Sequence, residues 1–330
     1  MENSHQCRIA VYGAGAIGCL LAARLAQAGC HVSVVARGET LDALRRHGAG
    51  LAVDGAVHRH PVHATDDPAQ IREVDYLFLT VKQQALPAIA PGLMPMLAAG
   101  GAIVPAVNGI PWWYLPTLDS PLGAAPLVSV DPQGVLARAV PLERVLGAVV
   151  YIAAHSAQPG VASQDARNNL AIGEPDGALS PRALRLARLL TQAGVQCEAS
   201  PRIHEAVWIK AAGNATFNPL SVLAHARMDA LVSDPYLSRL ARALLHEYLS
   251  LGKALGLALD VTVEQRMQAA AGSGAAQTSM LQDALKGKPL ETDALIGAMV
   301  EIAEKLDLDM PCANMVWGLI RHRNRSAGSL

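Results

Sequence analysis

The chain has 330 residues, about half of them hydrophobic, and a formal net charge of −1. That length makes room for two domains with separate cores, and a near-neutral balance with no basic face argues against nucleic acid as a partner. Five scattered cysteines, odd in number and never in C-x-x-C, exclude a disulfide framework and a zinc site and fit a reducing cytoplasm. The first strand is reached within about eight residues, which leaves no space for a signal peptide.

Ile9, Ala10, Val11 and Tyr12 read as a short buried strand, and Gly13-Ala14-Gly15-Ala16-Ile17-Gly18 follows it on the G-x-G-x-x-G spacing. Gly13 permits the tight turn, Gly15 lets backbone approach a pyrophosphate, and Gly18 lets the next helix pack on the strand. That helix places Ile17, Leu20, Leu21, Leu25 and Ala28 on one face and stops at Gly29. Its N-terminal N–H groups suit phosphate, so the six residues Gly13 to Gly18 are candidate dinucleotide contacts. A second strand runs from His31 and ends at Ala36-Arg37. An NAD site usually carries a carboxylate here for the ribose hydroxyls; a guanidinium binds a 2′-phosphate instead, so Arg37 points to NADP(H).

Residues 40–48 read as a short helix and 50–64 as a hairpin about Gly55, with His58, His60 and His63 on an exposed face that no Cys or carboxylate completes into a metal set. Two further apolar strands end at polar residues, Asp75–Val81 at Lys82 and Ala102–Val107 at Asn108-Gly109. In an open α/β sheet the ligand lies outside the carboxyl ends of the strands, which makes Lys82 and Asn108 candidate contacts. From Gln83 to Leu118 there is no charged residue, but Pro87, Pro91, Pro95, Pro105 and Pro111 interrupt the stretch, so it reads as buried core and not as a membrane helix. Within it, Trp112-Trp113-Tyr114 is distinctive: two adjacent tryptophans in a loop do not easily both point inward. Residues 127–130 and 144–154 read as strands, 160–174 as a hairpin-like pair and 181–192 as an amphipathic helix.

After Val195-Gln196-Cys197 the character changes to helix after helix, over roughly 202–225, 234–256, 260–271, 279–286, 290–306 and 312–323. The expected architecture is an α/β Rossmann-type dinucleotide-binding domain over 1–200 followed by an all-α substrate and catalytic domain over 201–330. The basic tail Arg321, His322, Arg323, Arg325 reads as a frayed, solvated end.

The first helix of the second domain spaces Lys210, Asn214 and Asn218 four apart, so they share a face amid Val207, Trp208, Ile209, Ala211, Ala215 and Phe217. A lysine in so apolar a helix either snorkels or is buried for a purpose. Two asparagines, poor helix formers, are an odd choice for a solvated stripe and a good one for orienting a polar ligand.

With these residues in hand the chain resembles the ketopantoate reductase family along nearly its whole length. The Gly13–Gly18 turn, Arg37, Thr80-Val81-Lys82, Val107-Asn108-Gly109, Lys210/Asn214/Asn218-Pro219, Ser279-Met280-Leu281-Gln282-Asp283 and Glu291 fall in the family's order. The resemblance implies Lys210 as catalytic lysine, Glu291 as the carboxylate beside nicotinamide and reacting centre, Asn214, Asn218 and Ser279 as substrate contacts, and Lys82, Asn108 and Ala154 as cofactor contacts. It implies NADPH/NADP+ as cofactor and reduction of a small 2-oxo acid by a cytoplasmic enzyme, with no nucleic acid, membrane or metal, and leaves room for a homodimer. Read from the residues alone, Ser279 is also a helix N-cap in Ser-x-x-Gln and Glu291 a helix-dipole complement after Pro289. Two positions depart from better-known members, where asparagines stand in place of Met228 and Ala276; with the aromatic run they leave open a bulkier, more apolar 2-oxo acid. A β-hydroxyacid dehydrogenase would carry glycines just before its lysine, and residues 203–209 have none. An NADPH-binding sensor would keep the glycine turn and lose the lysine–asparagine face, which this chain retains.

Overall fold

The computed structural model describes residues 7–124, 126–164 and 168–326. The chain opens with β1 (Arg8–Tyr12), α1 (Ala16–Gln27), β2 (His31–Val35), α2 (Gly38–His47), β3 (Ala49–Val53), β4 (Ala56–His60) and β5 (His63–Thr65). Next come β6 (Val74–Leu79), α3 (Leu86–Ile89), β7 (Leu97–Pro105), the single-turn α4 (Tyr114–Thr117) and α5 (Val135–Ala139). β8 (Gly147–Val150), β9 (Ala154–Gln158), β10 (Val161–Gln164), β11 (Asn169–Gly173), α6 (Pro181–Gln192) and β12 (Gln196–Ala199) follow. The remainder is helical: α7 (Ile203–Leu223), α8 (Met228–Ser233), α9 (Pro235–Ala254), α10 (Val263–Ala271), α11 (Ser279–Leu285), α12 (Ala298–Lys305) and α13 (Pro311–Ser326), with a π-turn at Asp293–Gly297 ahead of α12.

The chain divides into two compact units. The first runs to Val107 and resumes over Val135–Ile203; the second takes Asn108–Gly134 and the chain from His204 on. Residues 108–134, which the sequence places with the first domain, group here with the helices.

In the first unit, apolar runs too short for helices become the parallel sheet β5-β2-β1-β6-β7. Ile9, Val11, Phe78 and Val104 are buried in it, and Leu20, Leu21 and Leu25 of α1 join the same core. A strand covered on both faces needs such a continuous apolar run. The register sets Tyr12 beside both Val35 and Leu79, so β1, β2 and β6 end together at one edge. Two smaller sheets complete the unit, β4-β3-β10-β9 and β12-β11-β8. A hairpin about Gly55 forms over 49–60, with Asp54 and Gly55 both at positive φ, the two-residue turn that matches strand twist; His63, expected on it, instead opens β5 and pairs with Ser33 of β2 in the main sheet.

Three further expectations fail here. Residues 160–174 are not a hairpin, because β10 pairs with β9 and β3 while β11 pairs with β8 and β12. Residues 127–130 are a turn, not a strand: the N–H groups of Val128 and Ser129 each donate to the Glu301 carboxylate at 2.8 Å. The basic tail is not frayed over its described length, since α13 extends to Ser326 and Arg323 donates to the Val222 carbonyl at 3.1 Å.

Among the described residues the second unit has helices and turns and no strand. Side-chain caps fix its helix starts, Asp234 on α9 and the Thr262/Gln265 capping box on α10. Trp112 and Trp113 are 5% and 0% exposed, so both do point inward. The turn leading into α4 rotates successive side chains by about 100°, and packed neighbours surround it. The Trp113 and Tyr114 rings sit 5.5 and 5.0 Å from His204, and the Tyr114 hydroxyl donates to the His204 carbonyl. Among the described residues no helix is long and apolar enough to cross a membrane.

Candidate functional site

In the first unit the glycine turn is built as its spacing demands. Gly13 has φ +107°, and a Cβ there would lie 2.8 Å from Val81. A Cβ on Gly18 would lie 1.9 Å from the Gly13 carbonyl oxygen, so α1 can pack this close to the turn only through glycine. Thr80, which sequence reasoning left without a role, donates its hydroxyl to that same carbonyl at 2.6 Å. A Cβ on Gly15 would meet nothing within 4 Å, which leaves the backbone open to an approaching ligand. Gly15 is also the N-cap of α1 and supplies no side-chain cap; no acidic residue stands in the first turn. Ala16 opens the helix, and Ala14 and Ile17 pack partly buried against the core. Uncapped N–H groups, an open glycine and no competing carboxylate fit a diphosphate.

Arg37 follows β2 as the N-cap residue of α2 and is exposed. No hydrogen bond or ion pair engages its side chain among the described residues, and Glu39 does not pair with it. Its charge reaches Tyr12 at the end of β1, which puts it by the glycine turn. Ala36, where a ribose-binding carboxylate would stand, is buried at the strand end. Lys82 is exposed and opens the short turn after β6. Ala154 begins β9 and packs partly buried against the same core as α1. A recess of about 460 Å³ lined by Tyr76, Gly100, Arg182 and Arg185 lies at the opposite, amino edge of the sheet and takes no part in this constellation.

The second unit holds the other candidates. Lys210 on α7 is half-buried, and loss of hydration pulls its ammonium pKa down from 10.5 to about 8, with Glu291 pulling it back up. One turn on, Asn214 Nδ2 donates a long hydrogen bond of 3.5 Å to Asn108 Oδ1. Asn218 is buried at 6% exposure. Helix periodicity thus brings Lys210, Asn214 and Asn218 together, and the fold adds Asn108 and Glu291.

Asn108 reaches this group from a turn held by two features. Gly109 takes φ +86°, and a Cβ on it would lie 2.3 Å from the Ala294 carbonyl oxygen. That carbonyl accepts the Ile110 N–H at 2.8 Å. Ala294 belongs to the π-turn two residues beyond Glu291, a local irregularity of the kind that often marks a functional position.

Ser279 is exposed and is the first residue of α11, not its cap. The cap is Thr278, whose hydroxyl accepts the Leu281 N–H at 3.1 Å. In a Thr-Ser pair either residue can cap, and nothing in the spacing separates them. Met228 and Ala276, the two departures from the family pattern, lie together: the Met228 N–H donates to the Ala276 carbonyl at 3.0 Å, and the Met228 side chain is buried.

Comparison with known proteins finds relatives over nearly the whole chain. The family model for ketopantoate reductase PanE/ApbA matches residues 9–177, and that for the ketopantoate reductase PanE/ApbA C-terminal region matches residues 202–324. A 2-dehydropantoate 2-reductase of Mesorhizobium japonicum is 36% identical over 95% of this chain and 97% of its own. One of Archaeoglobus fulgidus is 29% identical over 95% of this chain and 97% of its own. A crystal structure from Ralstonia solanacearum, provisionally assigned as a ketopantoate reductase, superimposes with a TM-score of 0.91 at 39% identity, covering 98% of this chain and 99% of that one.

Proposed function

Because the chain belongs to the ketopantoate reductase family and is an oxidoreductase of that kind, we propose that it reduces 2-dehydropantoate to pantoate with NADPH, a step of pantothenate and coenzyme A synthesis. The observation that carries the reading is Lys210: an ammonium desolvated to a pKa of about 8 beside Glu291, on the helix face that carries Asn214 and Asn218. NADPH, when bound, supplies the hydride that adds to the ketone carbon.

The chain's own residues do the rest. The open backbone at Gly15 and the uncapped start of α1 receive the diphosphate, and Arg37 takes the 2′-phosphate. Negative charge grows on the substrate carbonyl oxygen as the hydride arrives. Lys210 stabilises that charge as a cation and then donates its proton to the oxygen, leaving neutral lysine and the 2-hydroxy acid. Its lowered pKa makes the transfer easier than from an ordinary lysine, while Glu291 keeps a useful fraction protonated near neutrality. Asn214, Asn218 and Ser279 hold the substrate's hydroxyl and carboxylate groups.

Met228 and Ala276 favour one alternative. Their backbones are hydrogen-bonded, the Met228 thioether is buried and Ala276 is exposed, and better-known members carry amides at both positions, so a 2-oxo acid with an apolar side chain is the second reading. NADPH oxidation with a panel of 2-oxo acids separates the two. The first reading expects 2-dehydropantoate to give the highest kcat/KM. An apolar 2-oxo acid ahead by more than about tenfold, ~1.4 kcal/mol of transition-state binding, selects the second. Turnover of neither, with the protein folded, removes both.

A further inference from the structure

Asn218 and Ser279 sit on different helices, and a substrate held by both requires those helices to keep one fixed register. A proline interrupts the hydrogen-bond ladder of α7 where it carries Asn218. Pro219 follows at once and brings no N–H, so the helix loses one rung of its hydrogen-bond ladder at that turn. The rung lost is the one to the Ala215 carbonyl; in the next turn the Ser221 hydroxyl donates to the Asn218 carbonyl at 2.7 Å.

The same oxygen makes a second contact, 2.6 Å from Thr278 Oγ1. Ser221 has a single hydroxyl proton and has already given it to Asn218, so Thr278 is the donor here. Thr278 Oγ1 accepts in turn from the Leu281 N–H at 3.1 Å, the capping bond that starts α11 one residue before Ser279. Donors and acceptors therefore run in one direction, from the Leu281 N–H through two hydroxyls to the Asn218 carbonyl. Both side chains are buried, Ser221 at 0% and Thr278 at 8% exposure. In so dry a setting each bond is hard to exchange for water, and a broken link leaves its partner unsatisfied.

We propose that Ser221 and Thr278 are positioning residues that fix Ser279 of α11 against Asn218 of α7, and so set affinity for the 2-oxo acid. The proposal rests on the reading of Asn218 and Ser279 as substrate contacts. Neither hydroxyl touches the reacting atoms; both act through the residues they hold.

The test is steady-state kinetics on the best 2-oxo acid of the panel, with NADPH titrated separately and the melting temperature followed. Ser221→Ala removes the link and leaves the Thr278 cap in place. It should raise KM about tenfold, the scale of one buried hydrogen bond, with kcat within about threefold and NADPH affinity unchanged. Thr278→Val should do the same with an added loss of thermal stability from the cap. Thr278→Ser keeps the hydroxyl and should restore the parent KM. The double variant should raise KM no further than the worse single one, since both cut the same chain. A folded Ser221→Ala protein with KM within about twofold of the parent overturns the proposal, as does a parallel fall in kcat or a failure of Thr278→Ser to restore KM. Asn218→Ala and Ser279→Ala mark which reading has failed. If they raise KM while Ser221→Ala does not, the hydroxyl chain alone is wrong; if neither raises KM, the substrate-contact reading falls and the proposal with it.

Discussion

Replacing Lys210 by alanine should lower turnover by about 10²–10⁴-fold, the usual range for removing a positioned proton donor. NADPH affinity should stay nearly unchanged, because the glycine turn and Arg37 belong to the other compact unit. Asn214→Ala and Asn218→Ala should act mainly on KM, as losses of binding that substrate and transition state share. The pH profile gives an independent reading. The acid must carry its proton, and Lys210 releases it around pH 8. kcat/KM should therefore be level at lower pH and fall as pH rises through about 8, and that limb should vanish in Lys210→Ala. Turnover within a few-fold of the parent after the substitution would assign proton transfer to another group.

The second large effect concerns the choice of cofactor. NADPH should bind at least about tenfold tighter than NADH, since Arg37 stands exposed where a 2′-phosphate lies in such sites and no carboxylate replaces it. Arg37→Ala should erase most of that gap, a charge-assisted contact being worth about 1.5–3 kcal/mol. The loss should be confined to NADPH: NADH has no 2′-phosphate for the guanidinium to reach. High salt should shrink the gap in the same direction, because Arg37 is exposed and its charge is screened. Equal affinities in the unmodified protein, measured by titration, refute the assignment.

What could be read from residues alone was what local rules control. The Gly13–Gly18 turn was legible because positive φ and close helix approach are demands that only glycine meets, and Gly13 and Gly18 show both. The stripe of Lys210, Asn214 and Asn218 was legible because a four-residue spacing on a helix is a statement about one face. Pairing partners were not: β10 and β11 look like a hairpin until the sheets are seen, because alternation tells which face is buried and nothing about which strand lies alongside. Residues 127–130 are apolar enough for a strand, yet a carboxylate more than 170 positions away takes their N–H groups. The grouping of 108–134 with the helices was equally hidden, since the uncharged run from Gln83 to Leu118 crosses that border without a change of composition. Met228 and Ala276 stand out in the sequence one by one; that they touch is a property of the fold.

Lys210 also bears on how the molecule resists unfolding. Its ammonium is freely hydrated in the unfolded chain and dehydrated in the native one, so the native state holds this proton less tightly. Below about pH 8 both states are charged and the native state carries the full dehydration penalty; as pH climbs toward 10.5 the penalty fades, because the native lysine is already neutral. The group proposed to deliver the proton is thus one the fold would be sturdier without. A Lys210→Met chain should outlast the parent in denaturant near neutrality, with an advantage that shrinks above about pH 8, and an advantage constant across that range would speak against dehydration as its source. On the proposed mechanism, selection for the reaction and selection for durability pull in opposite directions at this one side chain.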